Sequence, residues 1–300
     1  MRRVPKRRMI PTFRFKFERV ALRLIACVLA GCAVLAPRYD WEERLRGDAV
    51  VLLGEVHDNP EQHRQRLAVL RRAFVAGWRP AIAMEQFDRE RQADIERARR
   101  ERPRDAQHVI ALATSSNNAL GRGWNWDFYR PFVELALEYD VPLIAANLSN
   151  ADTGKVVKSG YAAVFSDTTL AALGLDRAVP HDLQAAQERE IDAGHCHALP
   201  QSMWAAMARA QFARDAVMAA VLREHGKPGV VLLAGNGHVR RDIGVPRWLA
   251  SADKGRAISI GYLEGNDTHE LATPFDAVVW TVASARPDPC VEFRKRGNRS

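Results

Sequence analysis

No net charge remains in this 300-residue chain once its first 31 residues are set aside. Nine basic residues between Arg2 and Arg23 face Glu18 alone and account for the whole formal charge of +8. A body of balanced charge has no global electrostatic drive toward a phosphate backbone, so no nucleic-acid partner is expected. Several signatures of chemistry are also missing. There is no G-x-S-x-G elbow and no Walker loop, and His57 and His63 are spaced H-x5-H rather than H-E-x-x-H. Cysteine is scarce, with four in the chain. The apolar run from Val20 to Cys32 is interrupted by Arg23 and is too short to be a permanent transmembrane helix.

What the N-terminus has instead is the layout of a secretory signal: a positive stretch, a short apolar stretch and small residues at the cut. Leu29-Ala30-Gly31-Cys32 resembles the bacterial lipobox, which implies cleavage before Cys32 and lipidation of its thiol; Leu24-Ile25-Ala26-Cys27 is a poorer competing box. Translation starts at Met1 or, given the length of the basic stretch, at Met9. The expected location is the bacterial envelope, lipid-anchored and facing the periplasm, with the outer membrane favoured over the inner. Cys196 and Cys290 are then the cysteines left over, and an even count in an oxidising compartment suggests one disulfide between them.

Two segments are nearly the same. Val50-Val51-Leu52-Leu53-Gly54-Glu55-Val56-His57 and Val230-Val231-Leu232-Leu233-Ala234-Gly235-Asn236-Gly237-His238 each run apolar to a glycine and deliver a histidine three residues later. Such a Val/Leu run reads as a strand buried on both faces of a mostly parallel sheet. Gly54 and Gly235 permit a sharp turn or a close backbone approach. Glu55, His57, Asn236 and His238 therefore stand just past the carboxyl ends of two core strands, the rim at which open α/β sheets bind ligands.

Further strands are expected at 80–85, ending in Glu85, at 141–146, ending before Asn147, and at 257–262 and 277–282. Helices are expected from Asn59-Pro60, from Asp88 to Arg102, after the aromatic loop at Trp124, and from about Ser202 to His225. The alternation predicts an α/β fold: a mostly parallel sheet of about six strands flanked by helices, with a helical and loop cap over the carboxyl-end rim. The expected boundaries are a signal peptide (1–31), a tether (32–47), the α/β domain (48–290, with an irregular cap over 150–200) and a tail (291–300).

The expected ligand pocket gathers Glu55, His57, His63, Glu85, Asn147, Gln211, Arg214, Asn236 and His238. On the long helix, Gln211, Arg214 and Asp215 share one face, and an Arg214 facing Glu55 or Glu85 would satisfy both partners. If the pocket is enzymatic, Glu55, His57, Glu85 and His238 are the acid/base candidates, with or without a divalent metal. Histidine and tyrosine also ligate haem iron, and arginine can hold a propionate. His195-Cys196-His197 reads as a disulfide flanked by loop histidines, or else as a nucleophile or metal site.

These motifs together resemble the ChaN family of bacterial haem-binding uptake lipoproteins, which share a superfamily with Tiki, TraB and erythromycin esterases. The resemblance is carried by the lipobox, the G-E-V-H-D-N-P-x-x-H run at 54–63, Met84-Glu85 and Trp124-x-Trp126-x-x-Tyr129. It extends through His195-Cys196-x-x-Leu199-Pro200, Ala210-Gln211-x-x-Arg214-Asp215, the Gly235–Arg240 run and Val245-Pro246, over nearly all of 45–290. It implies haem as ligand, a homodimer sharing haem as one arrangement, and tyrosine or histidine as the iron ligand, with Tyr129, Tyr161 and Tyr262 as the tyrosines to consider. The superfamily implies a hydrolase-like pocket at the paired GxxH motifs. Leu148-Ser149-Asn150 departs from the family's Asn-Ala-Pro-Arg.

Overall fold

The computed structural model describes residues 38–114, 123–265, 274–288 and 290–291. The signal segment, Cys32 with its lipobox, and 292–300 lie outside the described residues. The twin Val-Val-Leu-Leu segments form strands β1 (Val50–Leu53) and β4 (Val230–Leu233). They are hydrogen-bonded neighbours, parallel and in register, with Val50 beside Val230 and Leu53 beside Leu233. The other strands are β2 (Ala81–Asp88), β3 (Leu143–Asn147), β5 (Ala257–Glu264) and β6 (Ala277–Thr281). All six are parallel, in the order β3-β2-β4-β1-β5-β6. The chain winds outward from β1 to β2 and β3, returns to insert β4 beside β1, then crosses to β5. The paired glycines thus meet at the centre of the sheet, where the winding reverses.

Every residue of β1 and β4 is buried, as the unbroken apolar runs require. Val51, Leu53 and Met84 face one core. Its helices are α1 (Pro60–Val75), α2 (Gln92–Glu101), α3 (Ala106–Thr114) and α4 (Trp126–Glu138). Val50, Leu52 and Leu232 face a second core with Met218 and Leu222 of the long helix α8 (Trp204–Glu224). Each such leucine contributes about 1.5–3 kcal/mol relative to exposure. The stretch before α8 is mostly helical rather than irregular: α5 (Asn150–Ser159), α6 (Asp167–Leu173) and α7 (His181–Gly194) pack a third core on Phe212, Ala213 and Val217.

Local chemistry aims the rim. Asn59 caps α1 by accepting from the amides of Glu61 and Gln62, and Pro60 fills the first helical position, where no amide donor is needed. The charged helix expected from Asp88 starts later, at Gln92, because β2 continues through Asp88 and a 3₁₀ turn intervenes. The β2–β3 register shifts between Met84 and Asp88, an irregularity of the kind that re-aims side chains beside sites. Among the described residues no helix is long and apolar enough to cross a membrane.

Candidate functional site

A cleft of about 730 Å³ opens at the carboxyl ends of β1, β2 and β4. Glu55, His57, Glu85, Gln211, Asn236 and His238 line it, together with Asp215 of α8 and Gln187, Glu190 and Ile191 of α7. The echo in sequence becomes adjacency in space because β1 and β4 pair: the Asn236 amide donates to the Glu55 carbonyl at 3.0 Å. Gly235 lets the ring come this close, since a Cβ would lie 3.0 Å from His57 Nε2. Gly54 is tighter still, its missing Cβ occupied by the Asn236 side-chain oxygen. Asn236 directs its amide at β5, where its nitrogen donates to the Tyr262 carbonyl at 2.5 Å and its oxygen accepts from the Tyr262 amide at 3.1 Å.

The two histidines end in different charge states. His57 Nδ1 donates to Glu55 Oε1 at 2.8 Å, and its ring, half exposed, stands edge-on to Trp124 at 4.7 Å between centroids. Burial lowers its pKa, Glu85 opposes that and His238 reinforces it, so the ring is neutral at neutral pH. A carboxylate only accepts, so the proton sits on Nδ1 and Nε2 keeps its lone pair. His238 donates from Nδ1 to Asp215 Oδ1 at 2.6 Å, with Glu85 Oε1 3.5 Å from Nε2. Burial alone would discharge it, but Glu85 and Asp215 raise its pKa to about 10. Burial likewise pushes Glu85 up, yet His238 above all, helped by the Gly235 amide at 2.8 Å, holds it at about 2. Asp215 is lifted by burial to about 6 against the pull of His238. The rim therefore carries a neutral imidazole with an open nitrogen beside an imidazolium clamped between two carboxylates.

Not every expected residue joins this group. His63 lies behind the cleft, donating from Nε2 to the His57 carbonyl at 3.0 Å and stacked on Phe128, and burial lowers its pKa to about 4. Arg214 pairs with neither glutamate. It donates to Asn147 Oδ1 at 2.7 Å, Asn150 Oδ1 at 2.5 Å and Thr153 Oγ1 at 3.2 Å, fastening β3 to α5. The Leu148-Ser149-Asn150 departure serves the same junction, with Ser149 capping α5. The cation on Glu55 is Arg66, wholly buried, which no expectation named. A signal existed: Arg66 precedes Leu70 by four and Phe74 by eight, on the inward stripe of α1. Tyr129 is buried and donates to Glu55 Oε1 at 2.6 Å, Tyr262 is buried in β5, and Tyr161 packs against the cap. Among the described residues, which include all five tyrosines, none lines the cleft.

Cys196 and Cys290 are disulfide-bonded across 94 residues, next to the cleft wall at His195. His197 pairs with Asp192 at 2.6 Å on the outside. Among the described residues no group of three or more His, Cys, Asp or Glu side chains is arranged to hold a metal ion.

Among solved structures the fold is similar to ChaN of Campylobacter jejuni, described as binding haem cofacially. The TM-score is 0.59 at 19% identity, covering 75% of this chain and 85% of that one. At that identity the likeness speaks for the fold. An erythromycin esterase mutant in its open conformation is more distant, with a TM-score of 0.39 at 12% identity over 76% of this chain and 74% of that one. No curated protein matches the sequence. The sequence profile described as "Haem-binding uptake, Tiki superfamily, ChaN" matches residues 41–249, a span that contains both GxxH loops, α4 and α8. With more than half of its length inside that profile, the chain belongs to the ChaN family of the Tiki superfamily.

Proposed function

We propose that this protein binds haem for uptake, held by a lipid on Cys32 at the periplasmic side of a bacterial envelope, with the rim cleft as its haem site. Family membership supports the ligand, and one observation supports the place. His57 presents a neutral imidazole whose Nε2 has no protein partner among the described residues, while its Nδ1 is oriented by Glu55. That is the arrangement of an iron-ligating histidine with a carboxylate behind it. Trp124 supplies an aromatic flank. The cleft brings no tyrosine, so histidine is the ligand type it offers. Haem here is cargo, and the protein's part is to bind, orient and release it. A homodimer sharing haem belongs to the same proposal.

Haem titration of the purified protein tests this. A stoichiometric Soret shift is expected, with His57→Ala changing the spectrum and His238→Ala changing it little. No Soret shift at stoichiometric haem overturns the reading, and a shift indifferent to His57 moves the site off the cleft. Labelling by a fatty-acid probe, lost in Cys32→Ser, tests the anchor.

A second reading is favoured by the Asp215–His238–Glu85 chain beside His57. A neutral base next to a fixed cation is equipment for hydrolysis, His57 taking a proton from water and His238 stabilising developing negative charge. Turnover of ester or peptide substrates that falls about 10²–10⁴-fold in His57→Ala would support it.

A further inference from the structure

On its second-core face, β5 begins with three small residues, Ala257, Ser259 and Gly261, and Ser259 lies beside Leu52 of β1. At Gly261 the space is taken: the Phe275 ring stands 2.8 Å from where a Cβ would be. Over Ala257 and Ser259 it is not, and a cavity of about 420 Å³ opens there. Helix α8 packs over β2, β3 and β4, so the wall above β5 comes from the 3₁₀ turn Val245–Arg247 and the one-turn helix Ser251–Lys254. Leu52, Ala257, Pro246 and Leu249 give the cavity an apolar surface. It shares no lining residue with the rim cleft.

Charged side chains complete the lining. Arg241 donates to Asp276 Oδ1 at 2.7 Å, and Asp276 is held in turn by the Ser259 amide, which donates to Oδ2 at 2.8 Å. Those two charges offset each other. Arg247 reaches only the exposed Asp182, at 3.5 Å and outside the lining, and the Lys254 ammonium has no carboxylate partner among the described residues. Two cations thus stand over an apolar surface without an anion in the cavity to answer them.

We propose that this cavity is a second binding site, one for a phosphomonoester with a small apolar body. The phosphate is held by Arg247 and Lys254, and the body lies on Leu52, Leu249 and Ala257. Such a group carries about −1.5 to −2 charge at neutral pH, which matches two cations. A guanidinium grips two phosphate oxygens at once, and an ammonium serves the third as a point charge. A carboxylate brings about half that charge, and a neutral ligand leaves both cations unanswered. The site goes beyond haem binding and does not depend on it.

Two sources carry this group, a soluble ester and a lipid with a terminal phosphate. Phenyl phosphate titrated into the purified protein, followed by backbone amide shifts, probes the first. Cosedimentation with vesicles of phosphatidic acid in phosphatidylcholine probes the second. Saturation by phenyl phosphate is expected, with shifts confined to 246–259 and 276 and with inorganic phosphate binding more weakly. Arg247→Ala and Lys254→Ala are each expected to weaken binding about 10–100-fold, the usual worth of a hydrogen bond to a charged group. Both substitutions lie on the surface side of the cavity and leave the sheet intact. Lys254-dependent cosedimentation without saturation by phenyl phosphate supports the site and assigns its ester to the membrane. Binding of neither probe, or binding indifferent to both substitutions, overturns the proposal. So do shifts centred on 55–57 and 235–238, which mark the rim cleft, and inorganic phosphate bound as tightly as phenyl phosphate.

Discussion

Gly235 lies against the Cε1–Nε2 edge of the His57 imidazole: a Cβ at position 235 would stand 2.9 Å from its Cε1 and 3.0 Å from its Nε2. The glycine after β4 thus shapes the histidine after β1, and the two halves of the sequence echo form one device. Gly235→Ala is expected to push the half-exposed ring aside rather than unfold the chain. The cost in stability should stay near about 1 kcal/mol, the centre of the usual range for point changes. Denaturant unfolding beside a haem titration checks this, with affinity expected to fall more than stability. Gly54→Ala should behave differently, because its Cβ would meet the bonded Asn236 side chain, Val239 and the Ile260 carbonyl. That overpacking is expected to cost about 1–3 kcal/mol.

Stability should depend on pH through the clamped histidine. The folded pKa of His238 lies above its ordinary value of 6.5, at about 10. Its contribution is therefore full below 6.5 and is lost as pH rises toward about 10. Glu85 is shifted the other way, from 4.5 to about 2, so its contribution is present above 4.5 and lost as pH falls through that interval. Asp215, raised from 3.8 to about 6, opposes folding as pH rises through that range. Melting curves from pH 6 to 10 should show a decline that His238→Asn removes. The variant should also lose about 3–5 kcal/mol at neutral pH, because Glu85 and Asp215 remain buried without their cation.

Opening the disulfide should loosen one wall of the cleft. Cys196 and His197 both have φ of 57°, in the left-handed region that non-glycine residues rarely occupy. The bond to Cys290 and the His197–Asp192 pair hold that turn at the end of α7. A closed loop of this length is worth roughly 4.7 kcal/mol in the chain-entropy model. Cys196→Ser is expected to lower stability by about 2–5 kcal/mol. Amide exchange should rise at 187–199 while the sheet stays protected.

Asn59 ties the His57 loop to the far edge of the sheet. Its oxygen caps α1, and its nitrogen donates to Glu264 Oε1 at 2.6 Å and to the Val282 carbonyl at 2.9 Å. Asn59→Ala is expected to cost about 0.5–2 kcal/mol for the cap, and the lost bonds to β5 and the chain after β6 add to that. Chemical denaturation measures the loss, and the His57 ring signals should broaden in the same variant.

The twin Val-Val-Leu-Leu runs, their glycines and the carboxylate ending the next strand are local patterns. Local patterns report which residues are buried and where a strand must stop. The parallel α/β fold, and a rim carrying Glu55, His57, Glu85 and His238, follow from them. Strand order does not: that β4 inserts beside β1, and so seats His57 on Gly235, depends on how the crossover helices pack. The cation on Glu55 was undecidable for a related reason. Arg66 and Arg214 each sit on an inward helical face, and spacing fixes that face but not the helix's rotation against its neighbours. Packing brought Arg66 to Glu55 and turned Arg214 to Asn147 and Asn150. Sequence by itself determined what is buried and which chemistry stands at the rim. Tertiary structure alone decided which buried charges touch, because that choice is made by side chains far apart in the chain filling one space.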